Sequence, residues 1–128
     1  ERVDPQAGVP EHLKSIHVKP EGMEWRATKF EGCEMKPLYV DRETGLLTVL
    51  LRMAPGATLP DHEHVFVEQT YMLEGSLVDD QGACTAGNFV WRPAGNTHEA
   101  HAPDGALFIS VFLKPNKCLD EQPTFAKS

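Results

Sequence analysis

Cysteine is scarce in this 128-residue sequence: Cys33, Cys84 and Cys118 stand far apart and are odd in number. They form neither a CxxC knuckle nor a disulfide framework, which points to a reducing compartment and to buried structural thiols. Long hydrophobic runs are missing too, with no apolar stretch near the roughly 18 residues that a membrane helix needs. No signal-peptide pattern is visible, and the expected setting is the cytoplasm. No Lys/Arg cluster stands out among 12 basic against 19 acidic residues. A net charge of −7 therefore argues against an electrostatic grip on nucleic acid or an anionic membrane. The sequence shows no Ser/His/Asp set, phosphate-binding Gly loop or dinucleotide Gly pattern, so nucleophilic and nucleotide chemistry have no support. Nor does any segment carry the apolar period of an amphipathic helix.

What is present is a series of short β-rich segments separated by turn chemistry. Leu46–Met53 places Leu47, Val49, Leu51 and Met53 on one face of a strand, and Thr48, Leu50 and Arg52 on the other. Strands are also expected over Met23–Thr28, Lys36–Asp41, Gln69–Leu73, Ser76–Asp79 and Asn88–Arg92. Leu107–Leu113, apolar on both faces, reads as a buried central strand. Asp41–Gly45, Ala54–Ala57, Glu74–Gly75, Asp80–Gly82 and Pro93–Gly95 supply the turns. Strands of five to eight residues with turns at this spacing indicate an all-β sandwich or barrel. The chain divides into an arm (residues 1–22), one barrel domain (23–115) and a polar tail (116–128).

Against this background, His62, His64, Glu68 and His98 stand out. Neutral imidazole and carboxylate both bind divalent first-row metals. On a strand that keeps phase, His62, His64 and Glu68 share a face. His101, three residues after His98, points the other way; Glu63 and Glu99 alternate away from the donors into solvent.

The donors lie inside a longer pattern. Gly56, five residues, His62, one residue, His64, three residues, Glu68, six residues and Gly75 form one block. Gly87, five residues, Pro93, one residue, Gly95, two residues and His98 form the second. These nine positions resemble the two signature motifs of the cupin superfamily. With single positions matching at about 5% each, accident accounts for such a pattern on the order of once in 10¹² trials. One position departs: the second motif usually ends in Asn, where this chain has Ala102. Leu38, Thr48, Leu50–Arg52, Pro55–Gly56, Leu73–Gly75 and Asp79–Asp80 further resemble the cupin domain of ChrR-type anti-sigma factors and their stand-alone relatives, over residues 23–115.

The resemblance implies a double-stranded β-helix (jelly-roll) barrel with His98 facing His62, His64 and Glu68 across it. It also implies one divalent transition metal, Fe(II) or Zn(II) foremost and Mn or Ni next, with an open position for a small molecule. Period two places Thr70 and Met72 on the inward face of Glu68, with Gln69 and Tyr71 outward. Arg52, Thr70, Met72, Trp91 and Phe108 are the candidate pocket residues, and Arg92 is a further wall candidate. Arg52 draws attention because a charge in so apolar a strand needs a partner. Phe66, Met72, Phe108 and Phe112 would form an apolar wall.

Three functions fit this reading. The first is an Fe(II) dioxygenase acting on a small carbonyl or diketone-like compound. The second is a zinc-binding sensing module without turnover, and the third a redox-silent isomerase or lyase. Pairing into a homodimer, with the arm as exchangeable material, is expected by analogy.

Overall fold

A computed structural model describes residues 4–63 and 66–113, with residues 61–63 followed through their backbone. Among the described residues nine strands follow in order: β1 (Arg26–Ala27), β2 (Cys33–Asp41), β3 (Leu46–Met53), β4 (Thr58–Glu63), β5 (Val67–Asp79), β6 (Gly82–Thr85), β7 (Phe89–Arg92), β8 (Thr97–His101) and β9 (Ala106–Leu113). Every neighbouring pair of these strands is antiparallel. One sheet runs β1-β2-β3-β9-β5-β7; the second joins β6, the later part of β5, β8 and β4. Together they form the expected curled all-β barrel of the jelly-roll type.

The two sheets share β5, and the sequence reading is corrected here. Glu74–Gly75 was expected to turn a hairpin between two strands, yet β5 runs unbroken from Val67 to Asp79. The strand changes partners instead, pairing with β7 as far as Tyr71, with β9 as far as Gly75 and with β6 from Ser76 onward. Gly75 has φ +76°, and a Cβ there would stand far inside the contact distance of the Gly105 carbonyl oxygen. Only glycine allows so close an approach, so the strand bends rather than reverses. The Ser76 N–H donates to that same carbonyl (3.2 Å), which fixes the corner.

Burial follows the pleat. Val49, Leu51 and Met53 are buried on β3, whereas Arg52 is exposed. Strand β9 lies centrally, between β3 and β5, and alternates buried Ala106, Phe108, Ser110 and Phe112 with half-buried residues. The core continues through Phe66, Met72, Leu77, Cys84 and Ala100. Both described thiols, Cys33 and Cys84, are buried, and desolvation raises the pKa of each above its ordinary value. Cys118 lies outside the described residues.

The arm is tied to the outside of β2. Lys36, buried, donates from Nζ to the Pro20 carbonyl at 2.7 Å, and its ammonium lies 4.7 Å from the Trp25 ring centre. Strands β4 (Thr-Leu-Pro-Asp-His-Glu) and β8 (Thr-His-Glu-Ala-His) were expected only through the phase of their donors, since both are too polar to show apolar alternation.

Replacing Gly75 with Ala is expected to lower unfolding free energy by about 2 kcal/mol or more, through positive φ and backbone overlap. Gly22→Ala, where a Cβ meets nothing within 4 Å, should leave it unchanged. Urea denaturation of the two variants checks both.

Candidate metal centre

Two of the donor-bearing strands, β4 and β8, pair side by side in the second sheet, and β5 carries Glu68 in the first. His62 on β4 and His98 on β8 are directly opposed register partners. The expectation that His98 stands across the barrel from the whole donor set is corrected for His62: it lies beside it, on the neighbouring strand. His64 lies outside the described residues. Glu68 sits on the first sheet, opposed to Arg92 on β7 and Phe112 on β9. Both Glu68 and His98 are buried, while His101 and Glu99 are exposed, as strand phase requires.

Three cross-strand rows line the inner face of the first sheet. The top row holds Arg92, Glu68, Phe112 and Leu47, and the middle row Val90, Thr70, Ser110 and Val49. The bottom row holds Met72, Phe108 and Leu51. Polarity thus falls from charge, through hydroxyls, to an apolar floor within three rows. Thr70 and Ser110 are wholly buried. Thr70 Oγ1 donates to Glu68 Oε2 at 2.7 Å and lies 2.7 Å from Ser110 Oγ. Ser110 Oγ also donates to Glu68 Oε2 at 3.4 Å, so the two hydroxyls converge on one carboxylate oxygen, which can only accept.

Arg92 sits between two carboxylates. Its Nη2 is 2.9 Å from Asp79 Oδ2, and its Nε is 3.9 Å from Glu68 Oε1. The Arg92 and Asp79 side chains are only 6% and 3% exposed, so water does little to screen this pair. Asp79 ends the later part of β5 and Arg92 ends β7, so their contact ties the ends of these two strands together.

Around His98 runs a second set of contacts. His98 Nδ1 lies 3.1 Å from Asn96 Oδ1, Asn96 Nδ2 donates to Gln81 Oε1 (3.0 Å), and Gln81 Nε2 donates to the Thr97 carbonyl (2.9 Å). The Gln81 N–H donates to Asp79 Oδ1 at 2.8 Å, so Asp79 touches both networks. A cleft of about 310 Å³ opens beside them, bordered by Asp79, Gln81, Cys84, Trp91, Arg92 and Asn96.

Among the pocket candidates, Thr70, Met72 and Phe108 lie inside. Arg52 does not: its guanidinium pairs with Glu34 (2.7 Å) on the outer face and stacks 4.1 Å from the Trp25 ring centre. Glu34 and Trp25 supply the partners its charge requires, so no substrate oxygen is needed. Trp91 is also on the outer face, 55% exposed, and meets only the rim of the cleft. Gln81, Asn96 and Ser110 were not singled out, and Asp79 was noted only as part of the family resemblance. Gln81 and Asn96 sit in turns and Asp79 ends a strand beside one, where polar residues are ordinary; Ser110 was detectable as the one hydroxyl in an apolar strand. Ala102, where the cupin pattern has Asn, is wholly buried, its carbonyl accepting from Gly56 N–H (2.7 Å) and its N–H donating to the Ala57 carbonyl (3.0 Å). The end of the second motif is thereby bonded to the start of the first.

Comparison with known proteins agrees with this architecture. Residues 13–117 match the model of the ChrR Cupin-like domain, and the chain belongs to that family. No protein of curated function matched it in sequence. Among solved structures, a candidate acetylacetone dioxygenase from Methylibium petroleiphilum superposes with TM-score 0.74 at 21% identity, over 90% of this chain and 83% of its own. The Rhodobacter sphaeroides complex of SigE with the anti-sigma factor ChrR matches with TM-score 0.64 at 22% identity, over 73% and 51%. An acetylacetone dioxygenase from Acinetobacter johnsonii gives 0.66 at 15%, over 78% and 73%. At these identities the likeness concerns the fold.

Removing one member of the Asp79–Arg92 pair leaves a buried charge behind. Asp79→Asn and Arg92→Met are each expected to cost about 3–5 kcal/mol, and the double variant Asp79→Leu/Arg92→Met to recover much of it. Equilibrium denaturation of all three provides the check.

Proposed function

We propose that the chain is a mononuclear metal-binding cupin enzyme in which His62, His64, Glu68 and His98 hold one divalent transition metal. The donor chemistry fits: three imidazoles and one carboxylate suit a first-row ion and leave coordination positions open. The described members fit as well. Glu68 is buried with one oxygen steadied by Thr70, and His98 is buried with Nδ1 against an amide oxygen.

The reaction we favour is Fe(II)-dependent dioxygenation of a small carbonyl or diketone-like compound. The single observation carrying it is the inner face itself, where carboxylate and guanidinium stand above hydroxyls and these above Met72 and Phe108. That gradient would set the polar end of a small molecule at the donors, with the packed hydroxyls and apolar residues as the wall behind it. Bound iron would supply dioxygen activation and polarisation of a substrate oxygen. The protein's part is to hold the donors still and keep water out. Thr70 and Ser110 fix the Glu68 carboxylate, Arg92 holds positive charge beside it, and Phe66, Phe112, Phe108 and Met72 exclude solvent from the floor.

Membership in the ChrR Cupin-like family favours a second reading, a zinc-binding module that senses a small ligand without turnover. Elemental analysis of protein purified without added metal, with oxygen-electrode assays on a diketone panel, separates the two. Iron with dioxygen uptake supports the enzyme; tightly held zinc and no uptake supports the module. In either case His98→Ala should strip the metal. Chelation should remove about 2.7 kcal/mol of stability from wild-type protein held at a hundredfold excess of metal over Kd. Equal melting with and without chelator would sink the metal assignment.

The chain is further proposed to work as a homodimer. Tyr71, Phe89 and Trp91 adjoin on the outer face through the β5–β7 register and are each about half exposed. Three such rings leave on the order of 300 Å² of aromatic surface uncovered, the size of a functional patch. On the arm, Leu13, Ile16 and Val18 are exposed too, and exchange of arms between two copies would cover both surfaces. Wild type should run as a dimer in light scattering, and Phe89→Glu/Trp91→Glu as a folded monomer.

A further inference from the structure

We propose that Gln81 and Asn96 are positioning residues that fix which nitrogen of His98 carries the proton. This rests on the reading of His98 as a metal donor but is tested separately from it.

A backbone carbonyl can only accept, and its requirement passes along the contacts in one direction. The Thr97 carbonyl lies 2.9 Å from the Gln81 amide, which must therefore turn its NH₂ toward it. The Oε1 of Gln81 is then left facing Asn96, 3.0 Å away, and demands the Asn96 NH₂. Asn96 consequently presents Oδ1, another pure acceptor, to His98 Nδ1 at 3.1 Å. A neutral imidazole meeting an acceptor at Nδ1 must be protonated there, so Nε2 carries the lone pair. One peptide carbonyl thus selects the tautomer of a histidine two side chains away.

Both intermediaries are held by their own backbone. Asn96 closes a turn with its N–H on the Pro93 carbonyl (3.1 Å), and the positive φ of Gly95 (+91°) marks that turn as type II. Gln81 is pinned by its N–H on Asp79 Oδ1 (2.8 Å), and Asp79 by Arg92. The Pro93–Gly95 spacing therefore aims Asn96, in addition to ending a strand.

The test is the ¹⁵N spectrum of histidine-labelled, metal-free protein at alkaline pH, where imidazoles are neutral. The His98 signals are assigned by their loss in His98→Gln. Wild type should show a pyrrole-type Nδ1 and a pyridine-type Nε2. Asn96→Asp, which keeps an acceptor, should retain that pattern. Asn96→Ala and Gln81→Leu should shift His98 toward a mixture of tautomers while circular dichroism and melting stay near wild type, since Gln81 is exposed and Asn96 half-buried. Metal affinity should fall about 10–100-fold in Asn96→Ala and recover in Asn96→Asp. A wild-type His98 protonated at Nε2, or a tautomer unmoved in Asn96→Ala, would overturn the proposal. The expected tautomer in a protein that takes up no metal would uphold it and overturn the metal reading alone.

Discussion

The buried contact between Asp79 and Arg92 is the constraint on which the organisation of this site depends. One carboxylate oxygen meets the guanidinium at 2.9 Å and the other accepts the Gln81 N–H at 2.8 Å. From Arg92 the contact leads toward Glu68, and from Gln81 through Asn96 to His98. A buried ion pair is a poor way to gain stability, because desolvation consumes most of the attraction and an apolar pair of similar volume does as well or better. Its use here is geometric. It is the shared anchor for two donors on different sheets, and an apolar pair could not orient either of them.

The bend at Gly75 gives the contact its reach. Strand β5 carries Glu68 near its start and Asp79 at its end, eleven positions apart on one continuous backbone. A straight strand would hold these residues about 36 Å apart at its ordinary rise. The corner at Gly75 lets both ends contact the same Arg92 side chain. Gly75 therefore belongs to the site as much as to the fold, although it contributes no side chain to it.

How much of this was legible follows from what alternation can and cannot convey. Strand β3 was readable to the residue because Leu47, Val49, Leu51 and Met53 hold one phase, and that same phase placed Arg52 opposite the core. The need of a charge for a partner overrode the phase, and the partners proved to be Glu34 and Trp25 outside. Strand β7 shows the reverse case. Its large apolar residues Phe89 and Trp91 point outward while Arg92 is buried, so the rule that apolar side chains face inward fails where a polar site is built. Strands β4 and β8 were legible only through their donors, since a strand made of donors and their polar neighbours has no hydrophobic signal. The nine-position motif identified the fold across these gaps because it records turn glycines and donors, features that hydropathy does not weigh. The contacts of Asp79, Gln81 and Asn96 were not legible at all; they arise from turns brought together by the closure of the barrel.

Those turn contacts also bear on how the site can keep its geometry beside an open cleft. The hydroxyl pair behind Glu68 is sealed from water, and its direction is set by a carboxylate that can only accept. The amide pair behind His98 is partly exposed, and water would compete for each of its hydrogen bonds. Its direction is set from the far end by a peptide carbonyl, which cannot reorient without breaking β8. Each donor is thus steadied by a chain that ends in a group able only to accept. The interior chain can use side chains because no water reaches it, whereas the surface chain must end on backbone.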